Sequence, residues 1–318
     1  MSCHCESSII LDKFRSSRLK LYFGLSRTSH AMLDVATPAM AALLYLGCFP
    51  DVWTILIGLF TAFAGYTSVY ALNDIIDIGI DRQRLSLDAQ DQQVFHVDEI
   101  FVQHPLAQGF ISYRDGLLWF GVWALVALIG AWILNPYCAL LFLVSASLET
   151  IYCKLLRISH FKIIPSAMVK ASGGVAGVLA VDPSPSTGFV VVLALWLAAW
   201  EIGGQNIAND IVDMENDAKV SARTTLTVKG LQESVFYLIA ACGMTVFGSI
   251  AIYFLSGSGV GWLYLPGAII LGWYLILEPA KALYLNPGPP MAARLFNRAS
   301  YLPLAFLIVT ALSCARFA

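Results

Sequence analysis

Nine apolar segments, each near the ~20 residues that a helix needs to cross a bilayer, run along this chain and fix what it can become. They fall at about 29–49, 53–73, 114–134, 137–156, 163–181, 188–208, 233–255, 261–283 and 298–316. A lipid interior leaves no partner for an open sheet edge or an irregular loop, so segments of this length predict an all-α, polytopic membrane protein. Composition agrees: of 318 residues, 58% are hydrophobic and only 13% are charged, where a soluble domain carries roughly twice that charged fraction. The net charge of −2, with no basic cluster, excludes nucleic acid as a partner. Seven scattered cysteines give no disulfide framework, and Cys3-His4-Cys5 has too few ligands for a zinc site.

The connections alternate in charge. Those near Pro50-Asp51, Asn135-Pro136, Asp182-Pro183-Ser184-Pro185 and Ser256-Gly257-Ser258-Gly259 carry no Lys or Arg. All of the 19 Lys and Arg except Lys170 and Arg316 fall on the other side. The positive-inside rule makes that side cytoplasmic, with the N-terminus inside and the C-terminus on the opposite face. Residues 1–26 read as a cytoplasmic N-terminal segment, where Lys13, Arg15, Arg18 and Lys20 among apolar residues suit an interfacial helix. Residues 27–318 read as one transmembrane domain.

Two polar stretches interrupt this pattern, and they spell the same motif. Asn73-Asp74-Ile75-Ile76-Asp77-Ile78-Gly79-Ile80-Asp81 and Asn209-Asp210-Ile211-Val212-Asp213-Met214-Glu215-Asn216-Asp217 both read NDxxDxxxD, and each closes an apolar segment on the basic side. On a helix, positions 73, 77 and 81 share a face, as do 209, 213 and 217, with Asp74 and Asp210 turned aside. Stacked carboxylates repel, so such a stripe gains nothing in isolation. A divalent cation reverses the balance, and oxygen-only donors suit Mg²⁺, which binds substrate phosphates while keeping some of its waters. The two copies imply a tandem four-helix pseudo-repeat arranged as a helical barrel or bundle, with the motifs facing each other across a central cavity.

Aspartates beside Arg and Lys at one membrane face call for a ligand that is anionic, metal-bound and lipophilic. A prenyl diphosphate meets all three requirements, with two or more Mg²⁺ neutralising the departing pyrophosphate. At this point the chain looks like a UbiA-superfamily intramembrane prenyltransferase, from about residue 24 to the C-terminus. The resemblance implies Mg²⁺-dependent transfer of a prenyl group from its diphosphate to a lipophilic or aromatic acceptor. It further implies that Asn73, Asp77 and Asp81 hold one Mg²⁺. Asp213 and Asp217 would hold another, with Asn209 and Asp210 close by. Arg27 would reach the diphosphate, Tyr152 with Lys154 or Arg157 resembles the family's Tyr-and-Lys motif, and Lys219 and Arg223 match its basic residues after the second motif. Asp77, Asp213, Tyr152 and Glu201 are the catalytic candidates.

The sequence departs from the family pattern in three places. His104 stands before Pro105-Leu106 where the family has a basic residue, so that loop's cation is His104 itself, or Arg82 or Arg84. The segment 83–103 is long and acidic, with Asp88, Asp91, Asp98 and Glu99, and position 156 is Leu, which breaks YxxxK spacing from Tyr152. Lys170, inside a span, either snorkels to the surface or contacts the diphosphate. Glu201 either lines the cavity, orienting an acceptor or taking its proton, or joins helices by a hydrogen bond. Two rival functions stay open: a terpene cyclase on the same scaffold, acting without an acceptor, and a transporter, since intramembrane acids mark those too.

Overall fold

The computed structural model describes residues 18–87 and 101–315, and every regular element among them is helical. The N-terminal residues 1–17, the acidic stretch 88–100 and Arg316 lie outside the described residues. Seven helices among those described are long and apolar enough to cross a membrane: Val52–Ser86, Tyr113–Leu134, Pro136–Leu155, Thr187–Val212, Leu231–Leu255, Tyr264–Leu285 and Pro289–Ala315. The other two predicted segments are helical but shorter in unbroken length. The first is α2 (Thr28–Asp34) followed after Val35 by α3 (Ala36–Leu46), and the second is α7 (Ile163–Leu179).

Local chemistry sets the boundaries. α4 (Val52–Leu87) starts where the Asp51 carboxylate accepts the Trp53 and Thr54 amides at 3.0 and 3.1 Å. α5 (Tyr113–Leu134) starts at Ser112, whose hydroxyl accepts the Asp115 amide at 3.1 Å. α6 (Pro136–Leu155) follows a single extended residue, Asn135, which accepts the Tyr137 amide, and Pro136 fits the first helical turn because its missing N–H is not needed there. α4 is 36 residues long, or about 54 Å, against a hydrocarbon core of about 30 Å. Its C-terminal part therefore stands clear of the lipid, and Asn73 through Asp81 ride on that part. Apolarity ends at Asn73, but nothing in the sequence stops the helix, and it runs on through the motif, as the spacing of 73, 77 and 81 implies.

The helix carrying the second motif is less regular. α8 (Thr187–Trp200) widens into a π turn over Glu201–Asn206, continues as α9 (Ile207–Val212), and breaks at Asp213 (φ −88°, ψ 11°). α10 (Met214–Lys219) follows directly. The Asp213 amide donates to Asn209 O at 2.9 Å and the Asp217 amide donates to Asp213 O at 2.8 Å, so the helical spacing of 209, 213 and 217 carries across the irregularity. Short α11 (Thr225–Lys229), capped by Thr224, leads into α12 (Leu231–Ala251). α13 (Tyr264–Leu271) and α14 (Glu278–Leu285) flank a second π turn, and α15 (Pro289–Ser300) and α16 (Leu302–Ala315) end the described chain. At the N-terminal end, α1 (Arg18–Leu25) packs on α4 and α5, with Tyr22 stacked on Trp119 at 4.7 Å.

Between helices in lipid the hydrophobic effect supplies little, so close packing and hydrogen bonds must hold the bundle. Trp196, Trp200, Phe189 and Phe306 fill the centre of the second half, fully buried, and the Trp200 indole donates to Ala299 O at 3.0 Å. α7 lies directly on α3: a Cβ at Gly177 would meet Pro38 O at 2.2 Å. Gly177→Val should therefore part these helices and lower apparent stability by about 1–3 kcal/mol. Gly121→Val, at a position where a Cβ meets nothing within 4 Å, should leave the melting temperature of detergent-purified protein unchanged.

Candidate active site

The two motifs meet at one end of the bundle, and Arg84 joins them. Its guanidinium lies 2.6 Å from Asp217 Oδ1 and 3.9 Å from Asp81 Oδ1. Three turns of α4 bring Asn73, Asp77 and Asp81 along one wall, where Asn73 also donates to Glu149 Oε1 at 2.7 Å. On the facing wall, Asn209 donates to Asp213 at 2.9 Å. Asp74 Oδ2 is buried with no partner. Hard carboxylate oxygens beside amide oxygens form a donor set that fits Mg²⁺. Asp210 is turned aside from this set: it pairs with Lys162 at 3.0 Å and accepts the Thr225 amide at 3.3 Å.

Cations surround the carboxylates. Arg27, at the start of α2, lies 3.4 Å from Asn73 Oδ1 and 3.9 Å from Asp74. His104 sits between Asp74 (3.2 Å) and Asp81 (2.9 Å), and the ligand atoms of these three residues lie within 4.8 Å of one another. Burial works against the His104 imidazolium, but hydrogen bonds to both carboxylates outweigh it and hold its pKa up at about 9. Both contacts thus favour the cationic form of His104 beside the motif. Burial also raises the Asp217 carboxyl, to about 6, against the pull of Arg84. Arg27 (φ 41°) and His104 (φ 48°) both hold left-handed backbone, which is uncommon without glycine and here turns each side chain onto the motif.

Four of the basic residues singled out in the sequence lie elsewhere on this face. Arg82, Lys154, Lys219 and Arg223 are exposed, with Lys219 on Asn216 Oδ1 at 3.2 Å and Arg157 on Gln83. The cation beside Tyr152 is instead Lys162, fully buried in its ion pair and 5.1 Å above the Tyr152 ring. Sequence reading missed it because the chain turns back between α6 and α7 through a 3₁₀ turn at His160–Lys162, and no helical spacing crosses such a turn. Glu149 was also missed, although an acid within an apolar span is itself a signal.

Beneath this polar end lies a cavity of about 480 Å³, lined near its mouth by Arg27, Asn73, Glu149, Tyr152, Asn209 and Asp210. Deeper, Lys170 is buried rather than snorkelling. It pairs with Asp34 at 2.7 Å, faces Glu201 at 3.9 Å and sits 5.2 Å over the Trp200 ring. Tyr70 donates to the same Asp34 oxygen, and Ser166 donates to Glu201 at 2.6 Å. Glu201, at the start of the π turn, lines the cavity.

Paired acid–amide motifs at the mouth of a cavity within a bundle of membrane-length helices define the class of this protein. The chain belongs to the UbiA prenyltransferase family, whose model matches residues 35–307. Among solved structures it is similar to a UbiA homologue from Aeropyrum pernix K1 (18% identity, 88% of this chain and 97% of that one, TM-score 0.68). A digeranylgeranylglyceryl phosphate synthase studied in membranes is also similar (20% identity, 94% and 99%, TM-score 0.65). So is a UbiA homologue from Archaeoglobus fulgidus bound to DMAPP and Mg²⁺ (17% identity, 92% and 99%, TM-score 0.64). No curated protein matches the sequence.

The buried pairing of Lys162 has a measurable consequence. Lys162→Met strands the Asp210 charge and should cost about 3–5 kcal/mol of apparent stability, and Lys162→Met with Asp210→Asn should recover much of it. Lys154→Met, at an exposed position, should leave the melting temperature in detergent within error of the parent.

Proposed function

We propose that this protein is a Mg²⁺-dependent intramembrane prenyltransferase, joining the prenyl group of an allylic diphosphate to a lipophilic or aromatic acceptor and releasing pyrophosphate. One observation carries this reading: two carboxylate–amide sets, tied by Arg84 and ringed by Arg27, His104 and Lys162, stand at the mouth of a cavity with an apolar interior. Similar folds hold DMAPP or GPP together with Mg²⁺, which supports it. Asn73, Asp77 and Asp81 on one wall, and Asn209, Asp213 and Asp217 on the other, would hold the metal. When bound, Mg²⁺ there supplies neutralisation of the charge that collects on the leaving pyrophosphate.

The protein's own groups do the rest. Arg27 is placed to donate to the diphosphate from the side of Asn73, and Lys162 keeps positive potential over Tyr152 at the mouth. Exposed Arg82, Lys154, Lys219 and Arg223 add a field that draws the anion to this face. As the C1–O bond breaks, its electron pair leaves with pyrophosphate. The allylic cation then sits against Tyr66, Tyr70 and Tyr152, whose rings stabilise it, in a cavity poor in water that would quench it. Bond formation at C1 frees a proton from the acceptor, and Glu201, oriented by Ser166, takes it. Lys170, already neutralised by Asp34, serves to position Glu201 rather than to hold the diphosphate.

The same reading treats residues 27–318 as one domain of nine crossings, counting α2–α3 and α7, with a tandem four-helix pseudo-repeat. The N-terminus and site would be cytoplasmic and the C-terminus on the opposite side, as the basic residues direct. Purified protein with Mg²⁺, a prenyl diphosphate and an acceptor panel should release pyrophosphate in an acceptor-dependent way. Asp77→Ala or Asp213→Ala should lower that release by at least 10²-fold, with the melting temperature retained, and chelation of Mg²⁺ should abolish it. Full activity in either variant would remove the metal assignment, and a cyclic hydrocarbon formed without acceptor would make the protein a cyclase.

A further inference from the structure

The cavity has a length as well as a mouth, and α4 measures it. From Asn73 down to Thr54, every turn of α4 contributes to the lining. Those nineteen residues correspond to about 28 Å, close to the thickness of the hydrocarbon core. From Gly65 downward no charged side chain lines the cavity, and its far end is bounded by Phe49, Pro50 and Leu134. A volume of about 480 Å³ along this wall leaves room for a hydrocarbon tail. Because Asn73 and Asp77 sit on the same helix just above, a diphosphate held there leaves its tail running down the α4 wall.

Two glycines on that wall differ from those that pack helices together. A Cβ at Gly130, Gly173 or Gly177 would strike Thr61, Tyr66 or Pro38 within 2.5 Å, so those glycines permit close helix packing. At Gly58 a Cβ meets nothing within 4 Å, and at Gly65 it meets only the Phe142 ring, at 3.9 Å. Both line the cavity. Their missing side chains keep the channel clear. Gly65 is about 12 Å and Gly58 about 22 Å below Asn73.

An isoprene unit adds four C–C bonds of about 1.5 Å each, hence about 5 Å of zigzag length. A geranyl tail, with two units, ends above Gly65. A farnesyl tail passes it, and a geranylgeranyl tail fills the channel nearly to Gly58. We propose, resting on the prenyltransferase reading above, that the donor is a long prenyl diphosphate of four or more isoprene units, and that Gly65 and Gly58 are the residues that admit it.

The experiment measures Mg²⁺-dependent pyrophosphate release by the full-length protein with geranyl, farnesyl, geranylgeranyl and geranylfarnesyl diphosphates. It compares the parent with Gly65→Leu and Gly58→Leu. In the parent, kcat/KM rises from geranyl to geranylgeranyl by at least tenfold. Gly65→Leu keeps geranyl turnover, which shows that the site is intact, and loses at least tenfold on farnesyl and geranylgeranyl. Gly58→Leu keeps the first three donors and loses only the five-unit one. A parent that uses geranyl as well as geranylgeranyl diphosphate would overturn the proposal, as would a Gly65→Leu variant that lowers all donors equally or none. If the parent released pyrophosphate from no donor, it is the prenyltransferase reading that fails.

Discussion

Charge inside a lipid-embedded bundle has to be paired, and three pairs between distant parts of the chain meet that requirement here. Arg84 on α4 reaches Asp217, Lys162 reaches Asp210, and Lys170 on α7 reaches Asp34 on α2. Each joins sequence positions more than 45 residues apart. An unpaired partner would cost several kcal/mol, so these pairs specify which helices sit together where apolar packing alone would allow many arrangements. Their second effect is on the site: Arg84 ties the two motifs together at its mouth, and Lys162 and Lys170 hold Asp210 and Asp34 in fixed places around it.

Irregular backbone does the rest of the positioning. α4 passes through its motif as an unbroken helix, but the second motif sits on a helix that widens at Glu201 and breaks at Asp213. π turns of this kind concentrate at functional sites because they rotate the following residues relative to those before. Here the widening brings Glu201 to Ser166 and Asn206 to Lys162 (3.4 Å) within one helix. Past the irregularity at Asp213, Asp217 meets Arg84 at 2.6 Å.

The sequence made the class of fold legible, because about twenty apolar residues admit one structure in lipid. It gave α5 and α6 almost to the residue, since Ser112, Asn135 and Pro136 are local signals that act through their own hydrogen bonds. On α4 hydropathy ends at Asn73, but the helix carries on through the motif, where the helical spacing of its carboxylates already put it. The motifs were legible as carboxylates at helical spacing. Their cations were legible only in part: Arg27 and His104 sit where the family pattern puts a cation, but the lysine at Tyr152 is Lys162, not Lys154. That choice depends on how the chain turns between α6 and α7, a tertiary fact with no periodicity to betray it. Lys170 illustrates the same limit. Its two sequence readings both looked toward the membrane face, and the decisive fact, an aspartate 136 residues away, is invisible along the chain.

Glycine shows how one residue type can serve two opposite ends in such a bundle. Gly173 and Gly177, four residues apart on α7, bring that helix against Tyr66 and the Pro38 carbonyl, which is the close approach that membrane helices use in place of hydrophobic driving force. Both also reach the lining of the cavity. At Gly65 and Gly58 on α4 the space beside the backbone is left open instead, while the ion pairs above fix the cavity's mouth. A substitution on α7 would therefore be felt first as a packing defect, and one on α4 first as a change in what the cavity admits.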